Sequence, residues 1–176
     1  TIIALDNDTL AVAAPYEDGN QTTITNGTTS SSDKSKSYSG AVYVYKRTGT
    51  SWAQEAYVKA SNLDVVDLFG YGIGLDGDTL AVGSRGEDSN QTTITNGTSS
   101  SSNNDAQDSG AVYVYKRTGT SWAQEAYVKT SPSFSQAGFG YRVALDGDTL
   151  AVSDRGGGLV RIYKRTGTSW ALEASV

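Results

Sequence analysis

A chain of 176 residues and 18.5 kDa is long enough for one domain with a sizeable core and too short for two comfortable ones. Its net charge of −5 and pI near 4.6 exclude the Lys- and Arg-rich surface that nucleic-acid phosphates demand. No run approaches the roughly 18 apolar residues needed to span a bilayer, and no basic-then-apolar leader opens the chain at Thr1, so a soluble protein is expected. With no His and no Cys, the commonest general base, the commonest transition-metal ligand and all thiol chemistry are missing, while the compartment stays open.

The first predicted elements are two strands around Asp6-Asn7-Asp8, within Ala4-Leu5-Asp6-Asn7-Asp8-Thr9-Leu10-Ala11-Val12. This segment returns, slightly altered, at Gly74 to Val82 and Ala144 to Val152, so its first residues lie 70 apart each time. A period in the tens of residues with strand-like segments inside it points to a propeller or a solenoid. A long polar insertion, 16–39, follows in the first repeat and 86–109 in the second, sharing Asn-Gln-Thr-Thr-Ile-Thr-Asn-Gly-Thr. Loops of that length and polarity form no core of their own and are functional or mobile. In the third repeat 154–158 replace the insertion, so the repeat folds without it.

A hairpin then runs from Gly40 to Lys59 and recurs letter for letter from Gly110 to Lys129; a worn copy from Gly158 to Val176 keeps Lys164 to Ala171 intact. In the second repeat the predicted strands are 71–75, 79–84, 111–116 and 122–129, with Asp76-Gly77 as a tight hairpin turn because Gly supplies positive φ cheaply. Strand 111–116 alternates Val112 and Val114 with Tyr113 and Tyr115, so both faces are apolar and the sheet has to be sandwiched. Strand 122–129 carries Glu125, Tyr127 and Lys129 on one face and is expected to be the exposed outer edge, where charge discourages edge pairing. Trp52, Trp122 and Trp170 recur at one position and are expected to pack between repeats, with a sugar-stacking platform as the alternative. The connectors 60–68 and 130–138 each lead into Phe-Gly, at Phe69-Gly70 and Phe139-Gly140.

These last pairs, with Asp-Thr-Leu-Ala-Val at 8–12, 78–82 and 148–152, Ala14-Pro15 and Gly-Ala-Val-Tyr-Val-Tyr, resemble the FG-GAP repeats of integrin-α-like β-propellers, in the form common in bacterial surface and secreted proteins. The resemblance implies an all-β fold of three four-stranded antiparallel blades, about 1–59, 69–129 and 139–176, forming one propeller segment. It also implies that the loops between second and third strands, and the connectors, lie on the ligand-recognition face. Gly83-Ser84-Arg85 and Ser153-Asp154-Arg155 depart from the family's Gly-Ala-Pro. The short turns at 6–8, 76–78 and 146–148 offer too few oxygens for Ca²⁺, which wants six to eight, so the family's calcium site is not carried over.

Four sequons, at Asn20, Asn26, Asn90 and Asn96, lie in the insertions and are glycosylation candidates, set against chance matches in a Thr/Asn-rich loop; a fifth sits at Asn7. Glu87, Asp88, Asp105 and Asp108, with Asn103 and Asn104, are the candidates for holding Ca²⁺, as are Glu17, Asp18 and Asp33, set against a solvated acidic loop; otherwise no cofactor is expected. Arg85-Gly86-Glu87 resembles an adhesion tripeptide with the wrong acid and reads as a turn. No nucleophile is paired with a base, so no enzyme is expected. The leading expectation is a secreted or cell-surface binding module for adhesion or protein assembly, and the alternative is a lectin-like propeller. Three blades cannot close a ring, so further blades from a longer chain, a six-bladed homodimer or a head-to-tail filament are the open alternatives.

Overall fold

The computed structural model describes residues 2–156 and 158–176. Among these residues every regular element is a strand. The first repeat contains β1 (Ile2–Asp6), β2 (Thr9–Ala14), β3 (Thr25–Asn26), β4 (Ala41–Thr48) and β5 (Ser51–Val58). The second contains β6 (Phe69–Asp76), β7 (Thr79–Ser84), β8 (Thr95–Asn96), β9 (Ala111–Thr118) and β10 (Ser121–Val128); the third contains β11 (Arg142–Asp146), β12 (Thr149–Ser153), β13 (Val160–Thr166) and β14 (Ser169–Ser175). They form three antiparallel sheets, ordered β1-β2-β4-β5-β3, β6-β7-β9-β10-β8 and β11-β12-β13-β14.

Each sheet is a meander because its turns are short and its strands alternate. The Asp-Gly turn puts Asp76 opposite Thr79 and Leu75 opposite Leu80, and the Thr-Gly turn puts Thr118 opposite Ser121. A register shift between Gln124 and Ala126 places a bulge at Glu125, and β13–β14 shift at the equivalent level. Bulges of this kind bend a strand and re-aim its side chains, and here Glu125 ends up directed at the third sheet.

The sheets stack face to face in chain order. Valines and alanines of the first sheet (Ala11, Ala13, Val42, Val44) meet Ile73, Leu80, Val82, Tyr113, Tyr115 and Trp122 of the second in one core. The opposite face of the second sheet (Ala81, Val112, Val114, Ala126) meets Leu150, Val152, Tyr163 and Trp170 of the third in another. A large aromatic face is thus seated on a small-residue face at each junction. Gly83 belongs to this pattern: its Cα lies against the Gly140 backbone so closely that a Cβ would collide with the Gly140 carbonyl.

The expected outer edge is not an edge. β3 pairs with β5 (Thr25 with Tyr57, Asn26 with Ala56), and β8 pairs with β10 in the same way. The polar insertion therefore covers the fourth strand with a fifth. Lys129, expected to discourage pairing from an exposed position, lies just past β10 and is buried. The driving force is a partner: its ammonium is neutralised within the fold, as described below.

Candidate functional site

Both ends of each insertion are pinned by a buried ion pair. In the second repeat Lys129 Nζ donates to Glu87 Oε2 at 2.7 Å, to Ser109 Oγ at 2.8 Å and to the Gly110 carbonyl at 2.6 Å. Tyr127 Oη and Asn62 Nδ2 donate to the other Glu87 oxygen, at 2.7 and 3.1 Å. In the first repeat Lys59 reaches Glu17 at 2.8 Å and Ser39 at 2.9 Å. Glu87 opens the insertion, Ser109 closes it and Lys129 follows the outer strand, so one ammonium ties three remote points of a repeat. Burial pulls the Lys129 ammonium below its ordinary range, and Glu87 opposes that pull.

The acidic residues proposed as cation ligands do not converge, and among the described residues no group of three or more acidic side chains is placed to hold a metal. Glu87 is only 2% exposed and is consumed by Lys129 and Tyr127. Asp88 caps the returning loop by accepting from the Asp108 N–H at 2.7 Å, and Asp18 does the same for Tyr38 at 2.9 Å. Asp105 accepts from the side chain of Asn103, and Asn104 donates to Asp64 in the connector at 3.1 Å. Asp33 accepts from Ser35, which holds its carboxyl below the usual range.

The four insertion sequons divide into two kinds. Asn20 and Asn90 are exposed near the start of each insertion. Asn26 and Asn96 bridge to the next sheet: Asn26 Oδ1 accepts from the Trp122 N–H at 2.8 Å while its Nδ2 donates to the Trp122 carbonyl at 3.3 Å. Asn96 repeats this on Trp170 at 2.7 and 3.4 Å. Each amide imitates a strand neighbour, satisfying one donor and one acceptor of the adjacent backbone.

The tryptophans also divide. Trp122 and Trp170 are each 2% exposed at the junctions, where no sugar can stack on them, whereas Trp52 is 42% exposed on the uncovered face of the first sheet. Phe69 and Phe139 are fully buried; Phe69 packs edge-on against Tyr113 and Tyr115, and Phe139 against Tyr163. Gly70 and Gly140 follow them with φ of 95° and 89°, conformations that suit Gly alone. Arg85-Gly86 forms a turn, with the Arg85 guanidinium 4.4 Å from the centre of the Tyr71 ring.

Insertions and connectors meet on one surface. Connector backbone is zipped to the first insertion (Val66 N–H to the Ser37 carbonyl, Leu68 N–H to that of Tyr38), and Lys36 pairs with Asp64 at 2.8 Å. In the same connector Asp67 is buried; desolvation, opposed by the Asp64 N–H and reinforced by the charges of Glu87 and Asp88, pushes its carboxyl up to about 8. Exposed on this surface are Tyr16, Tyr38, Val65, Val66 and, in the second connector, Phe134. Tyr16 and Tyr38 stack edge to face at 5.5 Å. Beside them lies a groove of about 630 Å³ lined by Pro15, Tyr16, Glu17, Tyr43, Tyr71 and Arg142.

None of these exposed apolar residues stands out in composition. Their signal is divergence inside near-identity: Tyr16, Tyr38, Val65 and Val66 correspond to Gly86, Asp108, Ser135 and Gln136, and Phe134 to Asp64.

Residues 52–115 match the family model of the FG-GAP repeat. The chain therefore carries an FG-GAP repeat, as its Phe-Gly and Asp-Thr-Leu-Ala-Val motifs indicate. The matched stretch runs from β5 of the first sheet into β9 of the second, so the family's unit straddles a junction. No curated protein matches the chain.

Proposed function

We propose that this chain is a segment of an FG-GAP-type β-propeller, its three sheets being successive blades, and that it serves as a non-catalytic binding module for a protein partner outside the cell. Further blades come from a second copy or from a longer chain. No cofactor is needed for this role. The observation that carries it is the exposed apolar cluster Tyr16, Tyr38, Val65 and Val66, held in place by the pinned insertion and the zipped connector. Exposed aromatic and branched side chains on a rigid support favour protein contact, because little entropy is lost when they dock.

A second reading, glycan binding, is supported by the groove beside that cluster, whose lining combines the aromatic Tyr16, Tyr43 and Tyr71 with the polar Glu17 and Arg142. Two arrays carrying purified surface proteins and free glycans separate the readings. Specific protein binding that falls at least tenfold in Tyr38→Ser supports the first. Competable binding to one sugar class, lost in Arg142→Ala, supports the second, and silence on both arrays removes the binding role.

A further inference from the structure

The two internal junctions share one pattern of contacts, except that Trp170 Nε1 at the second has no partner among the described residues, where Trp122 Nε1 at the first finds Glu55. At the first, Arg117 reaches back to Glu55 at 3.1 Å and to Thr9 at 3.2 Å, and Trp122 Nε1 donates to the same Glu55 carboxylate at 2.9 Å. Asp6 Oδ2 meanwhile accepts from the N–H of Gly77 in the next sheet's turn at 2.8 Å. At the second, Arg165 reaches Glu125 at 3.5 Å and Thr79 at 3.2 Å, and Asp76 accepts from Gly147 N–H at 2.7 Å. Each sheet therefore presents an Arg/Trp face to the sheet before it and an Asp/Thr/Glu face to the sheet after it.

The two outward faces of the molecule carry the unmatched halves of this set. The first sheet displays Arg47, Trp52 and the turn N–H of Asn7; Arg47 pairs within its own sheet, with Asp8 at 2.6 Å. Around them Ile3 and Leu5 are 65% and 64% exposed, where Ile73 and Leu75, their counterparts in the second sheet, are packed into the first junction. The third sheet displays Asp146 and Glu173, both exposed, with half-buried Thr149 between them. Its flat Ala144, Ala151 and Ile162 face matches the small-residue faces on which Trp122 and Trp170 sit.

We propose that these faces dock on each other, the third sheet of one copy of this chain against the first sheet of a second copy. Glu173 of one copy takes Arg47 and Trp52 of the other, and Asp146 takes the Asn7 N–H. This rests on reading the sheets as consecutive blades. The match to the internal junctions favours a second copy over an unrelated partner: the third sheet offers Asp146 and Glu173 over small residues, with Lys164 donating to Thr149 as Lys116 does to Thr79, and the first sheet offers Arg47, Trp52 and exposed Ile3 and Leu5. Two copies joined this way supply six sheets, within the four to eight from which propellers close. A contact of the same kind that fails to close grows head to tail. The Asn clamp has no counterpart here, because 154–158 replace the insertion in the third repeat, so the contact is weaker than either internal junction.

Sedimentation velocity and native mass measurements on the 176-residue chain across a concentration series test this. Species at twice 18.5 kDa, or a ladder of its multiples, are expected, with Trp52 emission moving to shorter wavelength as they form. Arg47→Glu and Glu173→Arg should each weaken association at least about 30-fold, and the double variant Arg47→Glu/Glu173→Arg should recover most of it. Both residues are surface groups of strands that fold in the parent, and circular dichroism confirms that each variant keeps its sheets. A chain that stays monomeric at every concentration overturns the proposal and leaves further blades of a longer chain as the cover. Association that neither single reversal weakens overturns it too. Binding on the arrays above, scored on monomeric fractions, stands or falls separately.

Discussion

β4 and β9 are the same eight residues, as are β5 and β10, yet they occupy different environments. In the second sheet Tyr113, Tyr115 and Trp122 are sealed against the first sheet; their counterparts Tyr43, Tyr45 and Trp52 are half-buried or exposed. Local conformation, register and even the bulge at Glu55 and Glu125 are the same in both. Strand formation is therefore written within the repeat, while burial is conferred by the neighbour, and a hydrophobic side chain contributes only where another sheet covers it.

Substituting matched positions probes this directly. The largest effect is expected from Trp122→Ala, which opens a cavity at a junction and should cost about 3–5 kcal/mol in urea unfolding. Trp52→Ala, the same substitution in the same local sequence, should cost about 1 kcal/mol or less. Equal losses would break the comparison.

The ion pair that pins the insertion lies within a repeat, so here the two copies should behave alike. Lys129→Met and Lys59→Met strand a buried carboxylate and are each expected to destabilise by about 3 kcal/mol, read as parallel shifts in the unfolding midpoint. Asn96→Ala removes one accepting and one donating group from Trp170 and should cost about 1 kcal/mol, with faster amide exchange at Trp170 as its local signature.

A further difference between the two connectors is read through pH. Asp67 is held protonated in the folded state up to about pH 8, well above the ordinary carboxylate range. Its contribution to stability is thus complete below the ordinary carboxylate range, falls steadily as pH rises from there while only the unfolded state ionises, and is gone above about 8. Asp67→Asn should match the parent in acid and exceed it in thermal midpoint above pH 8. The equivalent residue of the second connector, Ala137, carries no such charge, so the dependence belongs to one connector alone. An Asp67→Asn midpoint that stays parallel to the parent's from acid to pH 8 would contradict this.

Much of the sheet architecture was legible in the chain. The Asp-Gly and Thr-Gly turns, the alternation in Ala111 to Lys116 and the recurrence of the Phe-Gly and Asp-Thr-Leu-Ala-Val motifs at 70-residue spacing all report local geometry, and local geometry is what a pattern records. Strand β7 occupies 79–84 as its alternation predicts. What stayed hidden depends on pairs far apart in sequence. Nothing near Lys129 announces Glu87 as its partner, so a buried ammonium reads as an exposed edge charge. Nothing near Thr25-Asn26 announces pairing with Ala56 and Tyr57, so a fifth strand reads as loop. Glu87, Asp88, Asp105 and Asp108 look like a ligand set only while their hydrogen-bond partners are unknown. The exposed cluster at Tyr16, Tyr38, Val65 and Val66 was masked by the repetition itself, since attention falls on what recurs.

Because Glu17, Ser39 and Lys59 close the insertion at its base, its distal stretch, 28–35, is attached to the sheet as a sealed cassette. Exchange or lengthening of that stretch is expected to leave the strands below paired, since the contacts that close the insertion lie at Glu17, Ser39 and Lys59. A fold that keeps its variable payload behind a buried lock can diversify what it displays faster than it changes how it stands.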